Sequence, residues 1–395
     1  MTAKMSLGID AEELASCVAC GLCLPHCPTF RVTGEEWASP RGRINAMRQV
    51  QDQGAAIDQA FFSSMDSCVQ CRGCEPACPS GVPFGSMMEA TQAALARKRR
   101  GDWRRWGFRV LGHRWLLNLL SRVLTVAQRL RLVPSKRLGL PRIPFRQDRL
   151  RASGDDVWLF TGCVMDAWQR STHGAVKRVV ESAGAGVALP GPGAACCGAL
   201  SLHAGLESHA RALAARTMGA LAGSAPILVD SAGCGAVLKD YGKLVGTPEA
   251  EVFSQRVMDV HEWLATRPDL LPPAGEQGRD LTVAIHDPCH LRHVQRAHQP
   301  VAEVLARYAT VVALDDDGLC CGAGGAYAAM QPELAASIRE RKLEAIGRSG
   351  AEIVASANPG CTIHLASAGV TVRHPLEIVD EILNEKLDQA SDDDR

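Results

Sequence analysis

The sequence is poor in aromatic residues and has no apolar segment long enough to cross a membrane. Aromatic residues make up 5% of the 395 positions. The most apolar segment, Trp115 to Ala127, is too short for a spanning helix and carries Asn118 and Arg122. With 46% apolar and 22% charged residues, the composition is typical of a soluble globular protein of two or three domains.

The sequence also lacks the usual signatures of nucleotide binding. No G-x-G-x-x-G follows a predicted strand, and there is no Walker A loop. The glycine-rich segment Gly322-Ala-Gly-Gly325 follows a pair of cysteines, where close packing is a better explanation than phosphate binding. We therefore expect no flavin or nicotinamide on this chain, and no residues form an evident catalytic acid–base pair.

Cysteine, in contrast, is abundant. The chain has 16 cysteines and no basic, apolar N-terminal stretch typical of a secretory signal. This combination favours metal ligation in a reducing cytosol over a disulfide framework. We expect a cytoplasmic protein.

Two cysteine runs near the N-terminus carry the most specific signal. Each has the spacing C-x2-C-x2-C-x3-C-P, which in two-cluster ferredoxins holds [4Fe–4S] clusters, the fourth cysteine of one run ligating the cluster of the other. Zinc sites and disulfides fit four cysteines in eleven residues less well. The predicted ligands of the first cluster are Cys17, Cys20, Cys23 and Cys78, and those of the second are Cys68, Cys71, Cys74 and Cys27.

Residues 1–95 are predicted to form a small helical two-cluster domain. Helices are expected near 11–14, 60–65 and 85–96, and the segment Ser39-Pro-Arg-Gly-Arg-Ile44 has the pattern of a helix start. Three arginines near the cysteines, Arg41, Arg43 and Arg72, either raise the cluster potentials or form caps and surface ion pairs.

Residues 96–150 are predicted to be a basic amphipathic connector. From 97 to 151 the chain has seventeen Lys or Arg and only two acidic residues, and 103–132 is expected to form one amphipathic helix. This helix either packs on the next domain or docks on a partner subunit or an anionic membrane surface. Nucleic acid is the weakest alternative, because no recognition motif accompanies the charge. An acidic tail, 386–395, ends the chain.

The remainder contains an internal repeat. Apolar strands followed by Cys163 and Cys289, two Cys-Cys-Gly motifs, and later Cys234 and Cys361 recur about 125 residues apart. Strands alternate with helices, so we predict two α/β cysteine-rich repeats, 151–270 and 281–385, on mainly parallel sheets. The predicted fold class is thus α+β multidomain, with a helical ferredoxin-type domain followed by the duplicated α/β unit.

Eight further cysteines lie in these repeats and predict either a third metal centre or a redox-active thiol site, although buried free cysteine is the simpler alternative for one or two of them. Five histidines cluster in the second repeat: His286, His290, His293, His298 and His364. His364 follows Cys361 at the x2 position and is the candidate ligand among them. The candidate cysteines are Cys163, Cys196, Cys197, Cys234, Cys289, Cys320, Cys321 and Cys361.

The order of these motifs, with the Pro-Arg-Gly-Arg segment, resembles the iron–sulfur subunit of glycolate oxidase over nearly the whole chain. The Cys-Cys-Gly repeats are similar to those of heterodisulfide reductase, which hold noncubane [4Fe–4S] clusters. Here the closing C-x2-C is missing, since position 237 is Val and position 364 is His.

The resemblance implies an electron-transfer subunit of a flavin-dependent glycolate dehydrogenase, peripherally bound at the inner face of the cell membrane. A partner subunit with FAD would oxidise glycolate or D-lactate, and electrons would pass through the clusters toward quinone. Two related alternatives are the cluster subunit of anaerobic glycerol-3-phosphate dehydrogenase and a heterodisulfide-reductase-like thiol enzyme. A non-redox alternative makes the clusters purely structural and the basic segment a nucleic-acid tether.

Overall fold

The N-terminal part of the chain is helical and carries its own core. The computed structural model describes residues 6–99, 101, 103–135, 139–145, 149–273, 281–316 and 318–393. Buried Met47, Met65, Met87 and Leu95 pack between the first helices, beside several of the cysteines. These helices are α1 (Ala11–Ala15), α2 (Pro28–Thr33), α3 (Pro40–Gln51), α4 (Gln59–Asp66) and α5 (Phe84–Lys98).

Helix α3 begins where the sequence indicates. The Ser39 hydroxyl accepts a hydrogen bond from the Gly42 amide at 2.9 Å, and Pro40 occupies the first turn, where no intrahelical donor is needed. The helices expected near 11–14, 60–65 and 85–96 are also present, as α1, α4 and α5. The local helix signals of this region are therefore confirmed.

The basic connector forms two helices rather than the single one predicted. These are α6 (Trp103–Leu111) and α7 (Arg114–Arg129), separated by Gly112 and His113. His113 has extended backbone, and Gly112 is packed so that an added Cβ would lie 3.0 Å from Leu213 Cδ2. The predicted single helix is thus interrupted at Gly112 and His113, where the chain packs closely against Leu213. No helix among the described residues is both long and apolar enough to span a bilayer.

The first α/β region contains a four-stranded parallel sheet in the order β2-β1-β3-β4. Its strands are β1 (Val157–Phe160), β2 (Val187–Ala188), β3 (Ile227–Val229) and β4 (Val257–Asp259). Its helices are α8 (Val164–Trp168), α9 (Arg170–Ser182), α10 (Ala199–His203), α11 (Glu207–Ala220), α12 (Ala232–Lys239), α13 (Tyr241–Val245), α14 (Pro248–Gln255) and α15 (Val260–Ala265).

The second α/β region repeats this sheet, in the equivalent order β6-β5-β7-β8 and again all parallel. Its strands are β5 (Thr282–Ile285), β6 (Thr310–Ala313), β7 (Ile353–Ala355) and β8 (Val372–Arg373). A π-helical segment, His290–Gln295, follows β5. The helices are α16 (Gln299–Leu305), α17 (Tyr327–Met330), α18 (Pro332–Ser349), α19 (Pro359–Ala366) and α20 (Pro375–Asp393). Part of the predicted acidic tail, 386–393, belongs to α20, and 394–395 lie outside the described residues.

The two repeats pack against each other through one continuous apolar core. This core includes Leu159 of β1, Val283 of β5 and Val379 of α20. Helix α9 of the first repeat contacts α20 of the second, where Arg178 forms an ion pair with Asp380 at 2.6 Å. The sequence prediction of a helical region followed by two parallel α/β units is therefore confirmed.

Candidate iron–sulfur centres

One pocket near the N-terminus brings together cysteines from both ferredoxin-type runs. Its lining contains Cys17, Cys20 and Cys23 of the first run and Cys78 of the second, with Arg41 at its edge. This is the set expected to hold the first cluster.

The two cysteine loops share an unusual backbone conformation. In the first loop, Ala19 and Gly21 have positive φ values of 57° and 85°, and in the second, Gln70 and Arg72 have 58° and 59°. Left-handed backbone at non-glycine residues is uncommon and occurs where surrounding structure imposes it. Here it aims backbone amides at sulfur, as in the 3.4 Å contact from the Gln70 amide to Cys68 Sγ.

The second set of cysteines is more deeply placed. Cys27 and Cys74 are buried, and Cys68 and Cys71 are partly buried. The pKa of Cys68 is raised to about 11, chiefly by burial; Arg43 opposes the shift, and the nearby thiols of Cys27 and Cys71 contribute to it. Burial and the thiols of Cys71, Cys68 and Cys27 likewise raise the pKa of Cys74. The four predicted ligands of the second cluster are thus close enough to repel one another when ionised.

Such a concentration of sulfur fits a bound metal cluster. Buried thiolates without a counter-charge are unfavourable, which is why burial raises the pKa values of Cys68 and Cys74. Iron ions would supply the missing positive charge, and every cysteine of both sets is free of disulfide bonds. The residues present therefore match the donor chemistry of [4Fe–4S] clusters.

Arg43 places a positive charge beside the second set. The residue is 1% exposed, and its guanidinium donates to the Ser64 carbonyl at 2.8 Å, to Ser67 Oγ at 2.9 Å and to Thr29 Oγ1 at 3.2 Å. Cys27 Sγ lies 4.0 Å away. Within the described part of the chain, no carboxylate forms an ion pair with Arg43, and the groups near it that can carry a negative charge are cysteine thiols.

The other two arginines singled out in the sequence are paired differently. Arg41 forms an ion pair with Glu36 at 2.6 Å, and Arg72 forms one with Glu75 at 2.8 Å. Their charges are therefore largely compensated by carboxylates. The structure separates three residues that looked equivalent in the sequence.

In the first repeat, four cysteines from separate elements converge on one point. Cys163 lies just after β1, Cys196 and Cys197 precede α10, and Cys234 lies in α12. The Cys197 and Cys234 sulfur atoms are 3.3 Å apart, and Cys196 hydrogen-bonds with both Cys163 and Cys197. We call this group the first thiol cluster.

The second repeat contains an equivalent group, the second thiol cluster. Cys320 contacts Cys289 and Cys321, and Cys321 contacts Cys361. The glycine after each adjacent cysteine pair, Gly198 or Gly322, has a φ near +90°, which lets both neighbouring thiols turn toward one point. The duplicated four-cysteine pattern thus brings its members together in both repeats.

One histidine joins the second thiol cluster, and it is not the one expected. A ring nitrogen of His286 and the sulfur atoms of Cys321 and Cys361 all lie within 4.8 Å of one another. His364 is near Cys321, but its Nε2 faces the Ala335 carbonyl at 3.3 Å. The signal for His286 was its place directly after a predicted strand, whereas the C-x2-C spacing drew attention to His364.

The second thiol cluster lies directly against the ferredoxin-type loops. The Cys71 thiol hydrogen-bonds with Cys320, which lowers the pKa of Cys71 and contributes to raising that of Cys320. Around this contact, the Gln70 carbonyl accepts from His290 Nε2 at 3.0 Å, and the Gln70 side-chain amide donates to the His203 carbonyl at 2.9 Å. Both repeats therefore hold the second cysteine loop.

Comparisons with known proteins agree with this arrangement. Residues 13–82 match the family of 4Fe-4S dicluster domains, and 157–239 and 283–366 each match the Cysteine-rich domain family. The glycolate oxidase iron-sulfur subunit of Escherichia coli (strain K12) is 32% identical, covering 96% of each chain. A probable glycolate oxidase iron-sulfur subunit of Bacillus subtilis (strain 168) is 29% identical over 90% of this chain and 89% of its own.

A third relative has a different name. It is a subunit of the dihydromethanophenazine:CoB--CoM heterodisulfide reductase from Methanosarcina acetivorans, 27% identical and covering 96% of each chain. Full-length similarity to all three proteins, with the same dicluster and cysteine-rich regions, shows the kind of protein this is. The chain belongs to the family of electron-transfer iron–sulfur proteins that includes the glycolate oxidase iron-sulfur subunit, with a 4Fe-4S dicluster domain and two cysteine-rich domains.

Proposed function

We propose that this chain is the electron-transfer subunit of a flavin-dependent glycolate (2-hydroxy acid) dehydrogenase complex. The observation that carries the proposal is the Cys71–Cys320 contact, which joins the ferredoxin-type cysteines to the second thiol cluster. It places a proposed ligand of the second [4Fe–4S] cluster directly beside the second thiol cluster. Similarity to two proteins named as glycolate oxidase iron-sulfur subunits supports the choice of substrate class.

The proposed ligand sets are the two groups of ferredoxin-type cysteines described above. Cys17, Cys20, Cys23 and Cys78 would hold one [4Fe–4S] cluster, and Cys27, Cys68, Cys71 and Cys74 would hold the other. When bound, such clusters accept and release one electron at a time. Cys27 and Cys74 are buried and would shield the second cluster from water, and Arg43 lies beside that set. The two thiol clusters are proposed to bind further centres of the noncubane kind.

The electron balance requires a partner. Oxidation of a 2-hydroxy acid to the 2-oxo acid releases two electrons and two protons, which the FAD of a partner subunit would accept. The present chain would then carry the electrons singly toward a quinone, which takes up two electrons and two protons. No proton or hydride transfer is assigned to this chain.

We also propose that α7 docks on an anionic membrane surface, near the quinone. Its buried face carries Leu117, Ser121 and Thr125, and Ser121 Oγ accepts a hydrogen bond from Trp168 Nε1 at 2.9 Å. Its outer face is apolar: Trp115 is 68% exposed and Val123 is 59% exposed. The apolar face is therefore not used for packing on the next domain. Basic side chains beside an exposed apolar face are complementary to anionic lipid, whereas a partner subunit need not carry that charge.

The first test concerns the clusters. Cys71→Ser should remove about four irons per chain, the content of one cluster, from anaerobically purified protein. Cys20→Ser is the reciprocal variant and should remove the other cluster's signal. Unchanged iron and acid-labile sulfide in both variants would refute the ligand sets.

The second test concerns the partner. Affinity purification of the tagged chain from its own cells should recover an FAD-containing protein that reduces the clusters when glycolate or D-lactate is added. Reduction by glycerol 3-phosphate instead would assign the chain to the glycerol-3-phosphate dehydrogenase alternative. Recovery without any flavoprotein would contradict the proposal.

A thiol or disulfide reductase is the second candidate function, because the chain is similar over its full length to a heterodisulfide reductase subunit. Burial argues against it: Cys196, Cys197, Cys320, Cys321 and Cys361 are all buried, which leaves these sulfurs little access to a disulfide substrate. Turnover of a disulfide by the purified chain with a chemical reductant would favour this candidate over the first.

A further inference from the structure

The second repeat contains a buried histidine whose ring has no oxygen or nitrogen partner. His286 is 1% exposed, and within the described structure both Nδ1 and Nε2 are buried without such a partner. Among the described histidines, only His286 has both ring nitrogens buried without an oxygen or nitrogen partner. The polar group beside its ring is the thiol of Cys321. Buried polar groups are as a rule hydrogen-bonded, so a buried imidazole with only a thiol beside it is poorly satisfied and is suited to bind a ligand.

The position of His286 in the fold indicates what that ligand is. The residue follows β5 directly, at the carboxyl edge of a parallel sheet, where open α/β folds place their ligand sites. One of its ring nitrogens lies within 4.8 Å of the sulfur atoms of both Cys321 and Cys361. Imidazole nitrogen and thiolate sulfur on one centre are the donors preferred by zinc and by iron.

The first repeat supplies a natural comparison. The equivalent position after β1 is Thr161, whose carbonyl accepts from His173 at 2.8 Å. The first thiol cluster therefore has four cysteines and no imidazole at this place. The two repeats share their cysteines but differ in this one donor.

We propose that His286 is a ligand of a metal centre in the second repeat, together with thiolates of Cys289, Cys320, Cys321 and Cys361, and that the first repeat binds a centre through cysteine alone. The inference rests on the proposal that the second thiol cluster binds metal, and it adds a nitrogen donor to it. The centre is an iron site of mixed thiolate and imidazole ligation, or a zinc site that uses His286 and three of these thiolates. Because Cys320 contacts Cys71, this centre is the one adjacent to the ferredoxin-type loops.

The test uses the full chain, purified without oxygen, and counts iron, zinc and acid-labile sulfide per chain. His286→Ala should lose metal, whereas Thr161→Ala, the matched variant of the first repeat, should keep its full content. His286→Cys supplies a substitute donor and should restore the metal content lost in the alanine variant. A purely structural role for the imidazole would not be rescued by cysteine.

A spectroscopic measurement identifies the donor directly. If the lost metal is iron, chain labelled with 15N-histidine should change the nitrogen modulation in pulsed electron paramagnetic resonance, and His286→Cys should abolish it. If it is zinc, X-ray absorption at the zinc edge should show imidazole scattering that is absent in His286→Cys. Full metal content in His286→Ala, no metal beyond the N-terminal clusters, or no nitrogen signal would each overturn the proposal.

Reduction of the N-terminal clusters by the flavoprotein is followed in the same samples. If that reduction persists while the nitrogen ligand is not found, the inference on His286 fails alone. If no substrate-dependent reduction is seen in the unmodified chain, the proposed function fails independently of His286.

Discussion

Arg43 is a buried cation with hydrogen-bond partners but no carboxylate partner among the described residues. Neutral oxygens satisfy its donors, and Cys27 Sγ is its nearest anionic group when ionised. A positive charge at this place stabilises the more negative, reduced form of the proposed second cluster. We therefore expect Arg43 to raise the reduction potential of that cluster rather than to serve in a surface ion pair.

We expect Arg43→Gln to lower the potential of the second cluster by about 60 mV, which corresponds to roughly 1.4 kcal/mol for one electron. Redox titration followed by electron paramagnetic resonance measures this shift. Arg43→Lys, which keeps the positive charge, should have a potential close to that of the unmodified chain. Arg41→Gln is the control, because Arg41 is paired with Glu36 and lies at the edge of the other cysteine pocket. A potential that rises or stays constant in Arg43→Gln would contradict this role.

Glu89 of α5 provides a pH-dependent contribution to stability. Burial raises its pKa to about 7, although Arg72 partly opposes the shift. Its folded-state pKa is therefore above the value of about 4.3 expected for the unfolded chain. The contribution of Glu89 to folding stability is fully present below the unfolded-state pKa. It is lost as the pH rises through the folded-state pKa of about 7.

We expect Glu89→Gln to raise the free energy of unfolding by an amount that grows between pH 5 and 7 and then levels off, reaching about 1–3 kcal/mol. Thermal unfolding of the anaerobic protein at a fixed scan rate, repeated across this pH range, measures it. The exposed Glu352→Gln serves as the control and should show little change at any of these pH values. A stabilisation by Glu89→Gln that is largest at pH 5 would contradict the upward direction of the pKa shift of Glu89.

At the scale of helices and strands, local signals were sufficient for most of the fold. Ser39 and Pro40 mark the start of α3, and the apolar segments before Cys163 and Cys289 are strands β1 and β5. What the sequence did not reveal depends on contacts between distant segments. The helix of the connector is interrupted at Gly112, which packs beside Leu213. The local sequence gives no sign that these two distant residues are close.

The same limit applies to the candidate site. Cysteine spacing predicted which thiols group together in each run, and the repeat predicted two further groups. Spacing did not select His286 over His364, because the choice depends on where β5 ends relative to Cys321. Cysteine spacing also did not predict the contact between Cys71 and Cys320. These residues are almost 250 positions apart and meet only because the domains pack together.

The exposed face of α7 leads to a prediction on membrane binding. Replacing both Leu119 and Val123 by glutamate should weaken sedimentation with vesicles that contain anionic phosphatidylglycerol by at least tenfold, since burying one such side chain contributes about 1.5–3 kcal/mol. Val252→Glu, on the exposed part of α14, is the matched control and should bind as the unmodified chain does.

The outcome also decides whether this face of α7 binds a membrane or a partner subunit. Unchanged vesicle binding in the double variant would exclude this face as the membrane site. If binding to the flavoprotein is lost at the same time, the face is instead a subunit interface. High salt should weaken the vesicle interaction, because the arginines Arg122 and Arg129 contribute long-range attraction.

At the scale of the whole molecule, the second cysteine loop connects the helical region to both α/β repeats. Gln70 contacts His203 of the first repeat and His290 of the second, and the Tyr327 hydroxyl donates to the Ser67 carbonyl at 3.1 Å. The loop itself has little regular secondary structure. We therefore expect its conformation to depend on what its cysteines bind, and the repeats to depend on the loop for these contacts.

Removing iron should consequently loosen more than the N-terminal region. After anaerobic chelation, we expect faster hydrogen–deuterium exchange in 68–78 and also in the contacting segments Ala199–His203 and His290–Gln295. The α9–α20 contact should keep its protection, because the Arg178–Asp380 ion pair and the shared apolar core do not involve cysteine. Mass spectrometry of the loaded and chelated chain resolves these segments. Faster exchange confined to 13–82 would mean that the loop and the repeats are not coupled, and the Cys71–Cys320 contact could then not serve as the link on which the proposed electron route depends.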